Sequence, residues 1–149
     1  MMVTVSGPTP AATTVVFYDG VCGLCNRFVR FLLHRDRRGS LRFAPLQGRV
    51  ASEALARHSV NAGVLDTIRV LTGWGTADEH VLQRSRAVLH AVKELGGAWA
   101  LAARLAALVP DAIADWVYAY VARRRYRTFG KYESCPIPPP EWRDRFLEP

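Results

Sequence analysis

The feature that most constrains this chain is a pair of cysteines between a predicted strand and a predicted helix. Residues 15–18 form a short β-branched and aromatic run typical of a buried strand, and Asp19-Gly20 ends it. From Leu24 onward, apolar residues recur every three or four positions, which predicts an amphipathic helix ending near Gly39. Cys22 and Cys25 therefore lie in the first turn of this helix.

The rest of the pattern predicts an α/β protein. A second strand, a short helix and an antiparallel strand pair are expected at 41–44, 51–58, 67–71 and 79–82. Three helices follow, at 85–95 with Ser85 as the N-terminal cap, at 99–108 and at 111–124. This order is the layout of a thioredoxin-like fold with three layers, in which helices flank a central four-stranded mixed sheet. The helices at about 98–124 are an addition to that core.

Length and composition predict one soluble domain. We expect the first 13 of the 149 residues to form a flexible leader and 14–147 to form the domain, including a tail rich in proline and aromatic residues. The start of the chain lacks the basic and apolar segments of an export signal, and no apolar run reaches the roughly 18 residues needed to span a membrane. Three cysteines are too few for a secreted disulfide framework. We therefore expect a cytoplasmic protein with no membrane partner.

Two cysteines at this spacing can divide the steps of thiol–disulfide exchange. A helix N-terminus stabilises a thiolate and lowers its pKa through unsatisfied N–H groups and partial positive charge. We expect Cys22 to be the more exposed thiol and to attack a substrate disulfide, and Cys25 to resolve the mixed disulfide. Gly23 lets a partner chain approach closely, and Tyr18 and Thr67 are the other expected substrate contacts. The expected partner is a disulfide-containing protein or a small thiol such as glutathione, with no cofactor.

Asp19, three residues before Cys22, has two compatible interpretations. It can be a turn residue or helix cap, or it can accept the proton of Cys25 during resolution. A carboxylate this close to the helix start also opposes the helix dipole and raises a thiol pKa. The sequence therefore leaves the acidity of Cys22 open.

Cys135 is the third cysteine, and it bears on two alternatives. Zinc requires four ligands, but Cys135 stands alone and the four histidines form no paired motif with it, so no metal site is expected. A structural disulfide between Cys22 and Cys25 would close only a tiny loop, where the entropic gain is smallest. Cys135 is predicted to be a small buried residue that anchors the tail. The alternative is a third redox thiol that reaches Cys22.

The net charge of +7 comes from 20 Lys and Arg against 13 Asp and Glu, and it is most concentrated at 123–127. We interpret this basic cluster as a solvated helix end. A binding site for phosphate, an acidic peptide or nucleic acid is the alternative, although no nucleic-acid motif accompanies it and none is expected as a partner. The nearby aromatic residues are expected to pack the added helices, or else to form an exposed docking patch: Trp99, Trp116, Tyr118 and Tyr120.

The residues around the cysteine pair resemble a known family. The run Tyr18-Asp19-Gly20-Val21-Cys22-Gly23-Leu24-Cys25-Asn26 is similar to the signature of the DCC family of predicted thiol–disulfide oxidoreductases, named for Asp-x-x-Cys-x-x-Cys. The resemblance extends over about 14–147, through the segments 42–47, 85–88, 115–118, 125–130 and 134–136. It implies a thioredoxin-like fold and redox activity, but no particular substrate. An alternative class of function is a redox-inactive adaptor that binds through its basic face, although an adaptor has no need of the intact cysteine pair.

One departure from thioredoxin itself concerns substrate docking. Thioredoxins place a cis-proline before the third strand, facing the cysteine pair. The corresponding stretch here, Leu65-Asp66-Thr67-Ile68, has no proline. Because a cis peptide without proline is costly, we expect a trans peptide and a different mode of docking.

Overall fold

The computed structural model describes residues 14–37, 39–60, 68–131 and 140–147. The predicted leader at 1–13, Thr67 with the stretch before it, and Cys135 lie outside the described residues. The elements in chain order are β1 (Thr14–Tyr18), α1 (Gly23–Arg35), β2 (Leu41–Pro45), α2 (Arg49–Ala56), β3 (Arg69–Thr72), β4 (His80–Gln83), α3 (Arg84–Lys93), α4 (Gly97–Ala106), α5 (Asp111–Phe129) and a 3-10 helix (Pro140–Arg145).

The four strands form one mixed sheet in the order β2-β1-β3-β4. β1 pairs in parallel with β2, where Val16 lies opposite Phe43, and antiparallel with β3, where Val16 lies opposite Val70. β3 and β4 are antiparallel. This mixed sheet with flanking helices confirms the predicted thioredoxin-like architecture.

The central strand β1 is buried on both faces, which explains its continuous apolar run. Because successive side chains alternate across a strand, Val16 and Tyr18 pack on one face with α1 and α3. Val15 and Phe17 pack on the opposite face with α2. The C-terminal end of β1 is therefore held rigidly between two hydrophobic layers, and the cysteine-bearing turn starts from that end.

Two of the differences from the predicted helix boundaries affect the contacts of α5. Ser85 does not cap α3, because the helix begins one residue earlier, at Arg84. The Ser85 hydroxyl instead donates to Asp115 Oδ1 at 2.5 Å. This contact ties α3 to α5. The last helix continues to Phe129, beyond the predicted 111–124, and ends at Gly130, whose φ of 86° is accessible to glycine at little cost. The extra turn carries the basic cluster over the start of α1.

The added helices α4 and α5 expose much of their apolar surface. The prediction that their aromatic residues pack inward is correct for Tyr118, whose hydroxyl accepts the N–H of Ile68 at 2.7 Å. It is wrong for Trp116 and Tyr120, which stack on each other on the outer face with 65% and 43% of their surface exposed. Trp99 contacts Phe31, yet it too is 42% exposed. The reason is that α5 meets the core along one strip, against α1 and α3.

No single helix of the described residues is long and apolar enough to cross a bilayer. The pair α4 and α5 together reaches that length and composition but is bent by 109°.

Candidate active site

Cys22 forms the N-cap of α1. Its backbone is extended, and its Sγ accepts a hydrogen bond from the backbone N–H of Cys25 at 3.4 Å. Asn26 fixes the preceding turn, since its Nδ2 donates to the carbonyl oxygens of Gly20 and Cys22, both at 2.9 Å. The sulfur therefore occupies the place where a helix cap accepts N–H donors and where the helix dipole favours negative charge.

The two thiols differ strongly in acidity. The hydrogen bond from the Cys25 side chain, the N–H groups of Cys25 and Leu24 and the positive charge of Arg125 together outweigh burial and lower the pKa of Cys22 to about 6. The same hydrogen bond, followed by burial and the negative charge of Cys22, raises the pKa of Cys25 well above its usual range. At neutral pH the pair therefore consists of a Cys22 thiolate and a Cys25 thiol.

We expect the alkylation of Cys22 by iodoacetamide to titrate with a midpoint near pH 6, against about 8.5 for a free cysteine. The thiolate is the reacting species, so the rate is constant above the midpoint and falls as the pH drops through it. Mass mapping of Cys22 over a pH series measures this profile. A midpoint at the ordinary thiol value would contradict the difference in pKa between Cys22 and Cys25.

The exposure of the two sulfurs is the reverse of the sequence prediction. Cys22 is completely buried, whereas Cys25 is partly exposed. The end of α5 covers Cys22: the carbonyl of Gly130 accepts the N–H of Gly23 at 3.0 Å, and the backbone of Lys131 forms a β-bridge with Cys22. Gly23 permits this approach, because a Cβ at this position would lie 2.0 Å from the carbonyl oxygen of Phe129.

Asp19 lies at the centre of a buried hydrogen-bond network. Its Oδ1 accepts the N–H of Val21 at 3.2 Å, which forms the turn, and the side-chain amide of Gln47 at 2.7 Å. Its Oδ2 accepts Arg125 Nη2 at 3.2 Å and the hydroxyl of Tyr126. Burial, with the added effect of Asp19, raises the pKa of Tyr126, so its hydroxyl remains a donor. Side chains from two distant segments, at Gln47 and at the end of α5, thus meet on one carboxylate.

Arg125 is the site residue that the sequence interpretation missed. Arg123, Arg124 and Arg127 are exposed, as expected for a solvated helix end, but Arg125 is buried with 7% of its surface accessible. The interpretation is wrong for this residue because the Asp19 carboxylate replaces the water that would solvate its guanidinium. The spacing of residues on α5 could have indicated that Arg125 points inward, because Tyr118 and Arg125 are two helical turns apart and share one face of the helix.

The other predicted residues have different surroundings. Tyr18 is buried, with its ring edge-on to that of Phe146, and its contact with a substrate stays a prediction. Gly23, the first residue of α1, faces the backbone of Phe129 and Gly130 at the end of α5. Over the ranges 14–37, 39–60, 68–131 and 140–147, no group of three or more His, Cys, Asp or Glu side chains is arranged to hold a metal ion.

A thioredoxin-like core with a Cys-x-x-Cys pair at the first strand-to-helix junction defines the class of thiol–disulfide redox proteins. Residues 16–131 match the family described as DCC1-like thiol-disulfide oxidoreductase, so the chain belongs to that family.

The chain is similar over most of its length to two known proteins. The chain is 33% identical over 133 residues to "Uncharacterized protein YuxK" of Bacillus subtilis (strain 168), covering 89% of this chain and 93% of that protein. It is 28% identical over 123 residues to a chloroplastic DCC family protein of Arabidopsis thaliana, covering 83% of this chain and 69% of that protein. No solved structure matches the chain significantly.

Proposed function

We propose that this protein catalyses dithiol–disulfide exchange through Cys22 and Cys25. The Cys22 thiolate attacks one sulfur of a substrate disulfide, the substrate S–S bond breaks, and one thiol leaves. Cys25 then attacks Cys22 Sγ and releases the second thiol, so two electrons pass to the substrate and the pair becomes a disulfide. The position of Cys22 as the N-cap of α1, with its Sγ accepting the N–H of Cys25, carries this proposal, because a thiolate is stabilised there. The opposite directions of the two pKa shifts agree with Cys22 as the nucleophile and Cys25 as the thiol that stays protonated until resolution.

Asp19 is the proposed acceptor of the Cys25 proton. Cys25 must lose this proton as it attacks, and its raised pKa makes a nearby base valuable. Asp19 and Cys25 line the same cavity. Arg125 is proposed as a positioning residue: it holds the carboxylate and adds positive charge beside Cys22.

Access to Cys22 requires movement of the covering segment at 129–131. This segment is held to Gly23 by one backbone hydrogen bond and to Cys22 by a β-bridge. A substrate backbone that offered equivalent bonds would replace both contacts. The proposed substrates are a disulfide-containing protein or a small disulfide, and the proposed location is the cytoplasm.

The reduction potential of the pair tests the proposal. A stabilised Cys22 thiolate stabilises the reduced form, so we expect a potential between about −270 mV, as in thioredoxin, and about −120 mV, as in a strong oxidant. Equilibration in glutathione buffers, read by mass spectrometry, gives the value. Absence of a reversible two-electron couple would refute the proposed function, and a potential at or below −270 mV would refute the stabilising role of the Cys22 environment.

A further inference from the structure

A cavity of about 480 Å³ opens beside Cys25. Its walls come from α1, α3, α4 and α5 and are mainly apolar, as at Phe28, Val88 and Val117. This volume is in the range of cavities that bind small organic molecules, and the combination of apolar walls with a few polar groups at one place is typical of them.

The reactive chemistry borders this cavity. Cys25 is part of its lining. Cys22 is buried and is not part of the lining, but its Sγ lies 3.4 Å from the Cys25 nitrogen, so a disulfide held in the cavity lies beside the pair and reaches Cys22 once the covering segment at 129–131 moves. The charged side chains in the described lining are Asp19 and Arg125, and they form an ion pair with each other. The cavity therefore offers no uncompensated charge to a ligand, although the protein as a whole carries +7.

The cavity wall continues into the exposed apolar surface of α4 and α5. Val109, Val117 and Val121 line the cavity and are also 41%, 49% and 39% exposed. An apolar ligand can thus enter along exposed apolar surface on that side. A charged ligand would lose its hydration inside without gaining a partner.

We infer that the cavity binds the apolar group of a small, uncharged organic disulfide and places its sulfur beside the cysteine pair. The inference rests on the proposed function and names its substrate class. The reduced pair and one disulfide R–S–S–R give the Cys22–Cys25 disulfide and two thiols R–SH. The second of these thiols leaves when Cys25 attacks, next to the cavity.

Two aromatic disulfides that differ in charge test this preference. Dithiodipyridine is neutral at pH 7, whereas dithiobis(nitrobenzoate) carries two carboxylates. To correct for the intrinsic reactivity of each disulfide, its rate constant with the reduced protein is divided by its rate constant with free N-acetylcysteine. We expect the normalised rate to favour the neutral disulfide by about tenfold or more. Equal rates, or faster reaction of the dianion with this basic protein, would overturn the inference.

Filling the cavity should remove the preference. Ala122 lines the cavity on α5, so Ala122→Phe should lower the dithiodipyridine rate about tenfold, with Ala114→Phe as a second variant if the first does not fold. Ala112→Phe, at an exposed position of the same helix outside the cavity, is the matched control and should react as the parent protein does. An equal loss in the control would contradict the inference.

Binding measured without redox chemistry separates the two proposals. The Cys22→Ser/Cys25→Ser protein should bind dithiodipyridine by titration calorimetry, and Ala122→Phe in that background should abolish the signal. If binding occurs but the intact pair transfers no electrons, the proposed function fails and the cavity assignment stands. The inference is wrong if a cystine peptide with apolar flanks reacts faster than dithiodipyridine and its rate falls on substitution of Trp116 but not of Ala122. In that case the apolar surface receives a protein rather than a small disulfide.

Discussion

Cys22→Ser should abolish exchange, whereas Cys25→Ser should accumulate a mixed disulfide on Cys22. Loss of the thiolate of the pair removes the nucleophile, so we expect the rate to fall by about 10³-fold or more. Cys25→Ser retains the attacking sulfur and the N–H groups of the helix start, but nothing then resolves the intermediate. The second variant should therefore react once and stop.

Mass spectrometry after incubation with glutathione disulfide or dithiodipyridine distinguishes the two variants. Cys25→Ser should carry one adduct, mapped to Cys22, and the Cys22→Ser/Cys25→Ser protein serves as the control without an adduct at either position. Because the hydrogen bond from the Cys25 side chain contributes most to the low pKa of Cys22, the alkylation midpoint should rise in Cys25→Ala, which has no side-chain donor. Equal retained activity in both single variants would refute the assignment of roles.

Arg125→Met should lower the free energy of unfolding by about 3–5 kcal/mol. The substitution leaves the Asp19 carboxylate buried, with 1% of its surface exposed, and without its cationic partner. It also removes positive charge that helps to lower the pKa of Cys22, so the alkylation midpoint should move upward from pH 6. Denaturant unfolding and the pH profile measure the two effects separately.

A control and a double variant make this test specific. Arg123→Met, at an exposed position two residues earlier, should change stability by no more than about 0.5 kcal/mol. Asp19→Asn/Arg125→Met should recover much of the loss, since the unpaired charge is removed while Gln47 and Tyr126 can still bond the amide. If Arg125→Met were as mild as Arg123→Met, the ion pair would have no role in holding the site.

The sequence by itself determined the strands, the helices and the placement of the cysteine pair. The continuous apolar run of β1, the periodicity of α1 and the break at Asp19-Gly20 are local patterns, and each follows from residues close together in the chain. The family resemblance rested on the same short motifs, and the match over 16–131 confirmed it. The β–α–β and β–β pattern also predicted a four-stranded mixed sheet, because few topologies accommodate it.

Only the tertiary structure decided how the site is enclosed. Asp19 and Arg125 are 106 residues apart in the chain, and the segment that covers Cys22 comes from the far end of α5. Burial and ion pairing depend on which segments meet in space, and periodicity on one helix does not state what its inward face will contact. For that reason the sequence predicted the wrong relative exposure of the two thiols, and it predicted a solvated Arg125 where the structure has a buried ion pair.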